Sequence, residues 1–290
     1  MPIQSYAMGW LPDYPDFRDY TPEHATIHPM LEKMGLMRGR KKTLPTQIDL
    51  REYCSPVEDQ GEIGSCTAQA GAGMVEYFAK RSNGKYMDVS RLFLYKVTRN
   101  MMQQKGDIGA FIRTTMGALV LFGVPPEEYW PYHEADFDKE PPAFCYAFAQ
   151  NYQTISYYRL DAAGVTKPDL MKSIKTNLAS GLPTMFGFTV FNSISQAGET
   201  GLIPYPTSGE KILGGHAVMA VGYDDKIEII NTHQNGSKCK GGLLIRNSWG
   251  GGWGQEGFGY LPYEYVLKGL AIDWWSLLKS EWVETGEFKP

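Results

Sequence analysis

The order of predicted elements along the 290 residues favours an α+β fold with two packed lobes. Apolar residues recur at helical spacing in the first half, whereas short apolar runs typical of strands fill most of the second half. Hydrophobic residues make up 43% of the chain and charged residues 21%, which is ordinary for a globular protein. A chain of this length can bury a substantial core.

The first half of the globular part predicts three helices, over residues 65–81, 90–104 and 112–122. The first helix is rich in small residues, and Ser90 is suited to cap the second. The third helix ends before a Gly-Val-Pro-Pro sequence, which cannot continue it. We assign this helical lobe to residues 44–150.

The second half predicts one helix over residues 168–180 and several strands around it. The strands are expected over residues 184–191, 216–223, 226–231, 243–247 and 257–262. A final apolar run over residues 274–282 predicts either a strand or a helix. We assign this β-rich lobe to residues 151–290.

The first 43 residues differ from the rest of the chain. Residues 8–20 are aromatic, rich in Asp and Pro, and without periodicity, which predicts an extended segment lying on another surface. A short helix is expected around residues 29–37, followed by a basic run at residues 38–42. Such a run is typical of an exposed linker and is suited to proteolytic nicking.

Charge and hydropathy argue against several partners. The net charge of −4 favours neither a nucleic-acid backbone nor an anionic membrane. No uncharged apolar run approaches the roughly 20 residues that cross a bilayer. The N-terminus lacks a basic stretch followed by an apolar one, so we expect a cytoplasmic protein unless an unrecognised export route exists.

Four cysteines are spread along the chain, at Cys54, Cys66, Cys145 and Cys239. They form no C-x-x-C pair, so the sequence predicts neither a zinc site nor a dense disulfide framework. A cytoplasmic setting keeps thiols reduced. In an oxidising compartment, one pair among Cys54, Cys145 and Cys239 remains an alternative.

Cys66 follows a turn-rich approach and is expected near the first turn of a helix. Free amide groups and the helix dipole there stabilise a thiolate and lower the pKa of the thiol. The Cys66 amide and the Gln60 side chain are suited to hydrogen-bond a carbonyl oxygen, as an oxyanion hole does. A lone cysteine is more often structural, so this interpretation depends on its neighbours.

His216 opens an apolar predicted strand and is preceded by glycines that leave its ring accessible. Histidine is suited to act as a base because it titrates near neutrality. Asn247 ends another predicted strand, and its amide oxygen can accept the imidazole N–H and fix the tautomer. Trp249 is placed to shield that hydrogen bond from water. Packing alone would also explain each residue taken singly.

These segments, in this order, resemble the papain-like cysteine peptidases over residues 44–290. The matching motifs are Gln60, Gly64-Ser65-Cys66, Tyr129-Trp130-Pro131-Tyr132, Gly215-His216-Ala217-Val218, Asn247-Ser248-Trp249-Gly250 and Trp253-Gly254. The resemblance implies a papain-like two-lobed fold, with a helical left lobe and an antiparallel β-barrel-like right lobe. The active site is then expected in the cleft between the lobes.

The resemblance also implies the roles of four residues. Cys66 is expected to be the nucleophile and His216 its base. Asn247 would orient the base, and Gln60 would hold the oxyanion. The implied reaction is hydrolysis of peptide bonds through a thioester acyl-enzyme, which requires no metal and no organic cofactor.

The spacing of these residues agrees with the family in part. His216 follows Cys66 by 150 residues, and Asn247 follows it by 181, beyond the roughly 130–150 residues typical of the family. We attribute the excess to a longer hairpin over residues 224–242, because loops accept added length at little cost.

Three neighbours depart from the family pattern. Ile63 replaces a cysteine, so the disulfide that it would anchor is absent. Thr67 replaces an aromatic residue, which reduces the shielding of the site. Gly215 replaces an acid or amide before the histidine, which implies an altered pH optimum.

The resemblance implies substrate contacts along a glycine-rich strand beside the cleft, for which residues 107–110 are the candidate, with an ordinary loop over residues 106–110 as the alternative. Ile112 and Ala217 are expected to line the pocket for the second residue upstream of the cut. The residues predicted to contact a peptide or protein substrate are Gly64, Ser65, Asp107, Gly109, Gly215 and Trp249.

The N-terminal segment suggests a built-in inhibitor, shorter than the helical propeptide of the family. We expect residues around 10–20 to lie over the cleft, with Tyr20 or a nearby aromatic residue in a substrate pocket. The basic run at residues 38–42 would be cut during activation. A strap that only covers core surface is the alternative.

Two other functions are compatible with the sequence, which leaves the oligomeric state open. One is a non-catalytic peptide-binding module, disfavoured because Gln60, Cys66, His216 and Asn247 are all present. The other is an acyltransferase or crosslinking enzyme that uses the same nucleophile but transfers the acyl group to an amine.

Overall fold

The computed structural model of the chain describes residues 7–36, 43–152 and 156–278. Its helices are α1 (His28–Lys33), α2 (Cys66–Asn83), α3 (Arg91–Met101), α4 (Ile112–Leu121), α5 (Ala143–Ala149), α6 (Lys167–Ala179) and α7 (Tyr263–Leu267). Its strands are β1 (Trp10–Leu11), β2 (Gln47–Asp49), β3 (Ala110–Phe111), β4 (Ser156–Arg159), β5 (Thr184–Phe191), β6 (Ile212–Ile230), β7 (Lys238–Arg246), β8 (Phe258–Pro262) and β9 (Ala271–Leu278).

Helix α2 is the buried element of the helical lobe, and its small residues let its neighbours approach. Every residue from Cys66 to Phe78 is buried. Gly71 faces α3 and α4, where an added Cβ would lie 3.1 Å from a methyl group of Thr115 and 3.3 Å from one of Leu94. The small-residue pattern therefore fixes the helix that begins at Cys66 against the rest of its lobe.

The second lobe is an antiparallel sheet with the strand order β4-β9-β5-β6-β7-β8, and β2 also pairs with β6. Strands β5 and β6 pair so that Phe188 lies opposite His216. Helices α2 and α6 both contact β6. Residues 216–223 of β6 are buried without alternation, as expected of a strand that is covered on both faces.

The structure confirms most of the predicted elements. Helices α2, α3, α4 and α6 match the four long predicted helices. Helix α1 matches the predicted short helix as far as Lys33, whereas residues 34–36 form a turn and Met37 lies outside the described residues. The strands predicted over residues 216–223 and 226–231 are instead one strand, β6, whose pairing shifts between Asp224 and Glu228. The final apolar run is strand β9 as far as Leu278.

Strands β1 and β3 form a small parallel pair that the sequence did not predict, with Trp10 opposite Ala110 and Leu11 opposite Phe111. Each strand has two residues, which is too short to give a periodic pattern. This pair joins the N-terminal segment to the start of α4. The basic run at residues 38–42 lies outside the described residues.

All four cysteines are buried and free, so no disulfide joins Cys54, Cys145 or Cys239. The β-rich lobe and α2 are therefore held by packing and hydrogen bonds. Across the described ranges 7–36, 43–152 and 156–278, no helix is long and apolar enough to cross a membrane.

Two leucines of α4 test the packing of the helical lobe. Leu119 is fully buried, whereas Leu121 is 57% exposed. Leu119→Ala should lower the free energy of unfolding by about 2–5 kcal/mol, because it leaves a cavity, and Leu121→Ala by about 0.5 kcal/mol or less. Urea denaturation of the two variants measures both values, and equal losses would contradict the assignment of Leu119 to the core.

Candidate active site

Cys66 is the first residue of α2 and lies where the two lobes meet. Its side chain is fully buried, and its Sγ accepts a hydrogen bond from the backbone amide of Ala217 in β6 at 3.4 Å. The preceding turn is held by Asp107, whose carboxylate oxygens accept the Gly64 amide at 2.9 and 3.0 Å. These contacts place the thiol beside the residue that follows His216.

His216 and Asn247 are joined by a direct hydrogen bond. The His216 Nε2 and the Asn247 Oδ1 are 2.8 Å apart, and both side chains are buried. Trp249 stacks on the imidazole with ring centroids 4.5 Å apart, and Phe188 meets it edge-on. The His216 Nδ1 has no hydrogen-bond partner among the described residues, so it remains available to the thiol.

The Gln60 side chain is held by bonds at both ends of its amide. Its Oε1 accepts a hydrogen bond from Ser248 Oγ at 2.6 Å. Its Nε2 donates to the carbonyl of Ile63 at 3.0 Å and to that of Ala7 at 3.2 Å. Ser248 therefore fixes which way the Gln60 amide points. No role was predicted for Ser248 from the sequence, although its position next to Asn247 placed it close to the predicted site.

Burial sets the protonation of the pair. It raises the pKa of the Cys66 thiol to about 11, although backbone amides that include those of Ala217 and Gly9 donate to the sulfur and oppose the shift. It lowers the pKa of His216 to about 4, and the hydrogen bond with Asn247 offsets this shift only in part. At neutral pH the site therefore holds a neutral thiol and a neutral imidazole.

Residues 7–11, which we call the cleft segment, run directly past this site. The Gly9 carbonyl accepts the Ala110 amide at 2.7 Å, and the Gly9 amide faces the Cys66 sulfur. Glycine is required at this crossing, because a Cβ on Gly9 would lie 1.9 Å from the Gly64 carbonyl oxygen and one on Gly109 would lie 2.1 Å from the Gly9 oxygen.

Trp10 of the cleft segment fills a pocket beside His216. It is 5% exposed, and its ring packs where a Cβ on Gly187 or Gly215 would lie 1.9 or 2.8 Å away from it. Its Nε1 donates to Asp273 Oδ2 at 3.1 Å. Neither Gly187 nor Asp273 was predicted from the sequence. A glycine inside the predicted strand 184–191 was a signal of close approach for the first, whereas the second had no local signal.

The structure brings Cys66, His216, Asn247 and Gln60 together. The residues predicted to contact the substrate do not all lie along the cleft segment. Gly64, Gly109 and Gly215 all lie against the cleft segment. Asp107 instead binds the Gly64 amide, Ser65 Oγ pairs with Tyr132 at 2.7 Å, and Trp249 covers His216.

Trp10 is the aromatic residue of the 10–20 stretch that fills the pocket, whereas Tyr20, also named for this place, lies elsewhere. Tyr20 stacks on His24 with ring centroids 3.8 Å apart and is 40% exposed. Its carbonyl accepts the Arg159 amide, which holds that part of the chain at the edge of the sheet.

The buried thiol predicts the reactivity of Cys66 in the full chain. Because the thiolate is the nucleophile and burial raises the pKa of the thiol to about 11, alkylation by iodoacetamide should be slow at pH 7. The rate should rise about tenfold per pH unit towards pH 11. Short labelling pulses with peptide mapping report Cys66 separately from the other cysteines, and circular dichroism checks the fold at each pH. A plateau below pH 9 would contradict the burial.

Comparison with known proteins gives consistent matches. A family profile described as "Papain family cysteine protease" matches residues 44–267. A peptidase C1-like protein of Acanthamoeba polyphaga mimivirus, itself uncharacterized, is 35% identical over 282 residues, which cover 92% of this chain and 85% of that protein. Human cathepsin L2 is 27% identical over 217 residues, and the match spans 74% of this chain but 60% of that protein.

Solved structures share the fold. Xylellain, a cysteine protease from Xylella fastidiosa, superimposes with a TM-score of 0.75 at 33% identity, covering 94% of this chain and 96% of that chain. Bromelain from Ananas comosus, solved with the E64 inhibitor, has a TM-score of 0.57 at 21% identity over 81% of this chain and 99% of that chain. The predicted papain-like α+β fold is thereby confirmed, and the chain belongs to the papain family of cysteine proteases.

Proposed function

We propose that this cysteine peptidase uses Cys66, His216, Asn247 and Gln60 to hydrolyse peptide bonds, and that its N-terminal segment keeps it silent until the chain is cut. The observation that carries the catalytic part is the set of contacts linking the Cys66 sulfur, the strand that carries His216, and Asn247. The inhibitory part is supported by the cleft segment, which lies across the same atoms.

The proposed reaction begins with proton transfer from the Cys66 thiol to the His216 Nδ1. The His216 Nε2–H donates a hydrogen bond to Asn247 Oδ1, and this bond fixes the tautomer in which Nδ1 is the basic nitrogen. The resulting thiolate attacks the carbonyl carbon of the substrate, and His216 then donates its proton to the leaving amine. Water, with His216 as base, hydrolyses the thioester and restores the thiol.

The oxyanion that forms in the attack is stabilised by the Gln60 Nε2 and the Cys66 amide. Each such donor contributes about 3 kcal/mol to the stability of the transition state. In the full chain the Gln60 Nε2 is bonded to the Ala7 carbonyl instead. The cleft segment therefore takes one of the two donors that the reaction requires.

The cleft segment has the position of an inhibitor and not of a substrate. The group that it presents to the Cys66 sulfur is the Gly9 amide N–H. A thiolate attacks a carbonyl carbon and does not attack the proton of an amide. It also buries the pair, which disfavours the thiolate and imidazolium forms. Removing it would let water reach both side chains and shift both pKa values back towards their ordinary range.

Charged residues anchor the chain just after the cleft segment. Arg113 pairs with Asp13 at 2.8 Å and with Asp19 at 2.9 Å, and the Asp19 carboxylate is almost fully buried. Arg159 donates to the Asp13 carbonyl at 2.9 Å. We propose that a cut in residues 38–42, which lie outside the described residues, precedes release of this anchor.

Hydrolysis is tested with a panel of peptide–coumarin substrates in the presence of an added amine. We expect free acid as product from the cut chain, labelling of Cys66 by an epoxide inhibitor, and no turnover by Cys66→Ala. Amide formation in place of free acid would identify an acyltransferase, and absence of both turnover and labelling would identify a binding module. Comparing initial rates with and without residues 1–42 tests the inhibition.

Two aromatic residues of the N-terminal segment separate inhibition from simple covering. Trp10→Ala removes the buried ring that fills the pocket, and we expect the full chain to hydrolyse the panel at least about tenfold faster, since burying a tryptophan stabilises by about 3–5 kcal/mol. Phe17→Ala is the matched control, because Phe17 is 96% exposed, and it should leave the rate unchanged. An unchanged rate in Trp10→Ala would contradict the proposal.

Ser248 tests the role of Gln60. Ser248→Ala removes the 2.6 Å bond to Gln60 Oε1, so we expect kcat/KM of the cut chain to fall about tenfold, as for the loss of one hydrogen bond. Gln60→Ala should cost about 10²–10³-fold in kcat. Ser195→Ala is the control, since this exposed residue is bonded only to the Asn192 carbonyl among the described residues. Equal rates in Ser248→Ala and Ser195→Ala would remove Ser248 from the site.

A further inference from the structure

The pocket that holds Trp10 ends in a buried carboxylate. Two glycines, Gly187 and Gly215, let the indole lie directly on the backbone of β5 and β6. Beyond the ring, the fully buried Asp273 accepts the indole N–H at 3.1 Å. The pocket therefore combines a flat apolar wall with one hydrogen-bond acceptor at its end.

The two oxygens of Asp273 have different surroundings. The Oδ1 accepts a hydrogen bond from Trp275 Nε1 at 2.7 Å and lies 3.4 Å from the Arg159 guanidinium. The Oδ2 is bonded to Trp10 alone among the described residues. When the cleft segment leaves, Oδ1 keeps its partners, and Oδ2 faces the empty pocket without a protein donor.

The backbone is built to place this carboxylate. Met185 of β5 pairs with Trp275 of β9, and Gly187 pairs with Ile272. The two steps along β5 therefore match three steps along β9, so β9 carries one extra residue. Asp273 lies in this bulge with a φ of 65°, a conformation that aspartate tolerates better than most residues. The carboxylate of Asp161 accepts the amides of Asp273 and Trp274 at 2.7 and 3.0 Å, which holds the bulge in place.

The charge of Asp273 is compensated only in part, because burial raises the pKa of this carboxyl to about 6 although Arg159 lowers it. Arg159 is fully buried and contacts Asp161 at 2.9 Å and Asp273 at 3.4 Å. Its further partner Asp19, at 3.5 Å, belongs to the N-terminal segment and leaves with it. Of these three acids, Asp161 and Asp273 then remain paired with Arg159. The partner that the protein itself supplies to Oδ2 is the Trp10 indole, a neutral N–H donor, so we take a neutral donor as the group that this oxygen binds in a substrate.

The pocket is within reach of a peptide in the cleft. Gly215, which forms one wall, directly precedes His216, and the Ala217 amide bonds the Cys66 sulfur. The backbone of the residue that precedes Trp10 pairs with Ala110. A substrate whose backbone uses the same strand would place a side chain in the pocket that Trp10 vacates.

We propose that this pocket selects substrates with a flat, apolar side chain that carries an N–H donor, namely tryptophan, and that Asp273 determines this specificity. The inference rests on the proposed function, since it concerns the substrate of the same site. It gives Asp273 two tasks in sequence: it binds the Trp10 indole in the silent chain and the indole of the substrate in the active one.

The test uses the full chain with Trp10→Ala, which empties the pocket, and measures the rate at which peptidyl epoxide probes label Cys66. The probes differ only at the residue that enters the pocket, expected to be the second upstream of the cut: tryptophan, 1-methyltryptophan, naphthylalanine or leucine. We expect the tryptophan probe to react at least about tenfold faster than the other three, because only it can donate to Oδ2.

A second variant places the effect on Asp273. Adding Asp273→Asn to Trp10→Ala weakens the acceptor and should reduce the preference for tryptophan over 1-methyltryptophan to about threefold or less. Adding Asp16→Asn, an acid bonded to Arg18 outside the pocket, should leave the preference unchanged.

Two outcomes overturn the inference and are distinguishable from each other. Equal labelling by all four probes would show that the pocket does not recognise the indole N–H, while the proposed peptidase function stands. Failure of every probe to label Cys66 in Trp10→Ala would overturn the proposed function together with the inference. The 1-methyltryptophan comparison leaves the protein unaltered, so it remains decisive even if Asp273→Asn fails to fold.

Discussion

The hydrogen bond from the Ala217 amide to the Cys66 sulfur is the contact on which the site depends. It joins the first residue of α2 to the middle strand of the sheet, so it fixes the nucleophile against the strand that carries the base. The contact requires α2 to lie close to β6, and the small residues of α2 let α3 and α4 pack closely against it. The packing of the helical lobe is therefore also what sets the geometry of the chemistry.

The same closeness explains how the short segment that we propose as an inhibitor can cover the site. The thiol and the imidazole lie at the interface of two lobes, so little additional cover removes them from water. Residues 7–11 supply that cover, and burial then favours the neutral forms of both groups. Backbone amides around the sulfur oppose this effect, because they lower the pKa of the thiol. The hydrogen-bond donors that stabilise a thiolate are therefore already in place in the covered site.

The sequence predicted the catalytic part well because that part is carried by local motifs. Cys66, His216 and Asn247 each occur in a turn or strand start whose glycines and aromatic residues are adjacent in the chain. The helices were predictable because their periodicity extends over ten residues or more. Strand β6 was divided in two because residues 224–228, where its register shifts, interrupt the apolar pattern.

The Trp10 pocket was not predictable, since its parts are distant in sequence and irregular in structure. Trp10 and Asp273 are 263 residues apart, and Asp273 reaches the pocket only because of a bulge in β9. Which aromatic residue of the 10–20 stretch enters the pocket was left open for a related reason, because neither Trp10 nor Tyr20 has a local pattern that reveals its neighbours. Gly187 and Gly215 were the residues of this pocket whose type indicated a close approach.

The parallel pair of β1 and β3 has two residues on each strand, and such a pair would be a weak ligand if it were a separate peptide. As part of the same chain, the segment binds at an effective concentration set by its tether, of the order of millimolar for short connections. In the proposed activation, a cut in this connection would leave every contact in the cleft unchanged but would turn the segment into a dilute competitor. Activation would then require no rearrangement of the catalytic lobes, only dilution of a peptide that rebinds weakly.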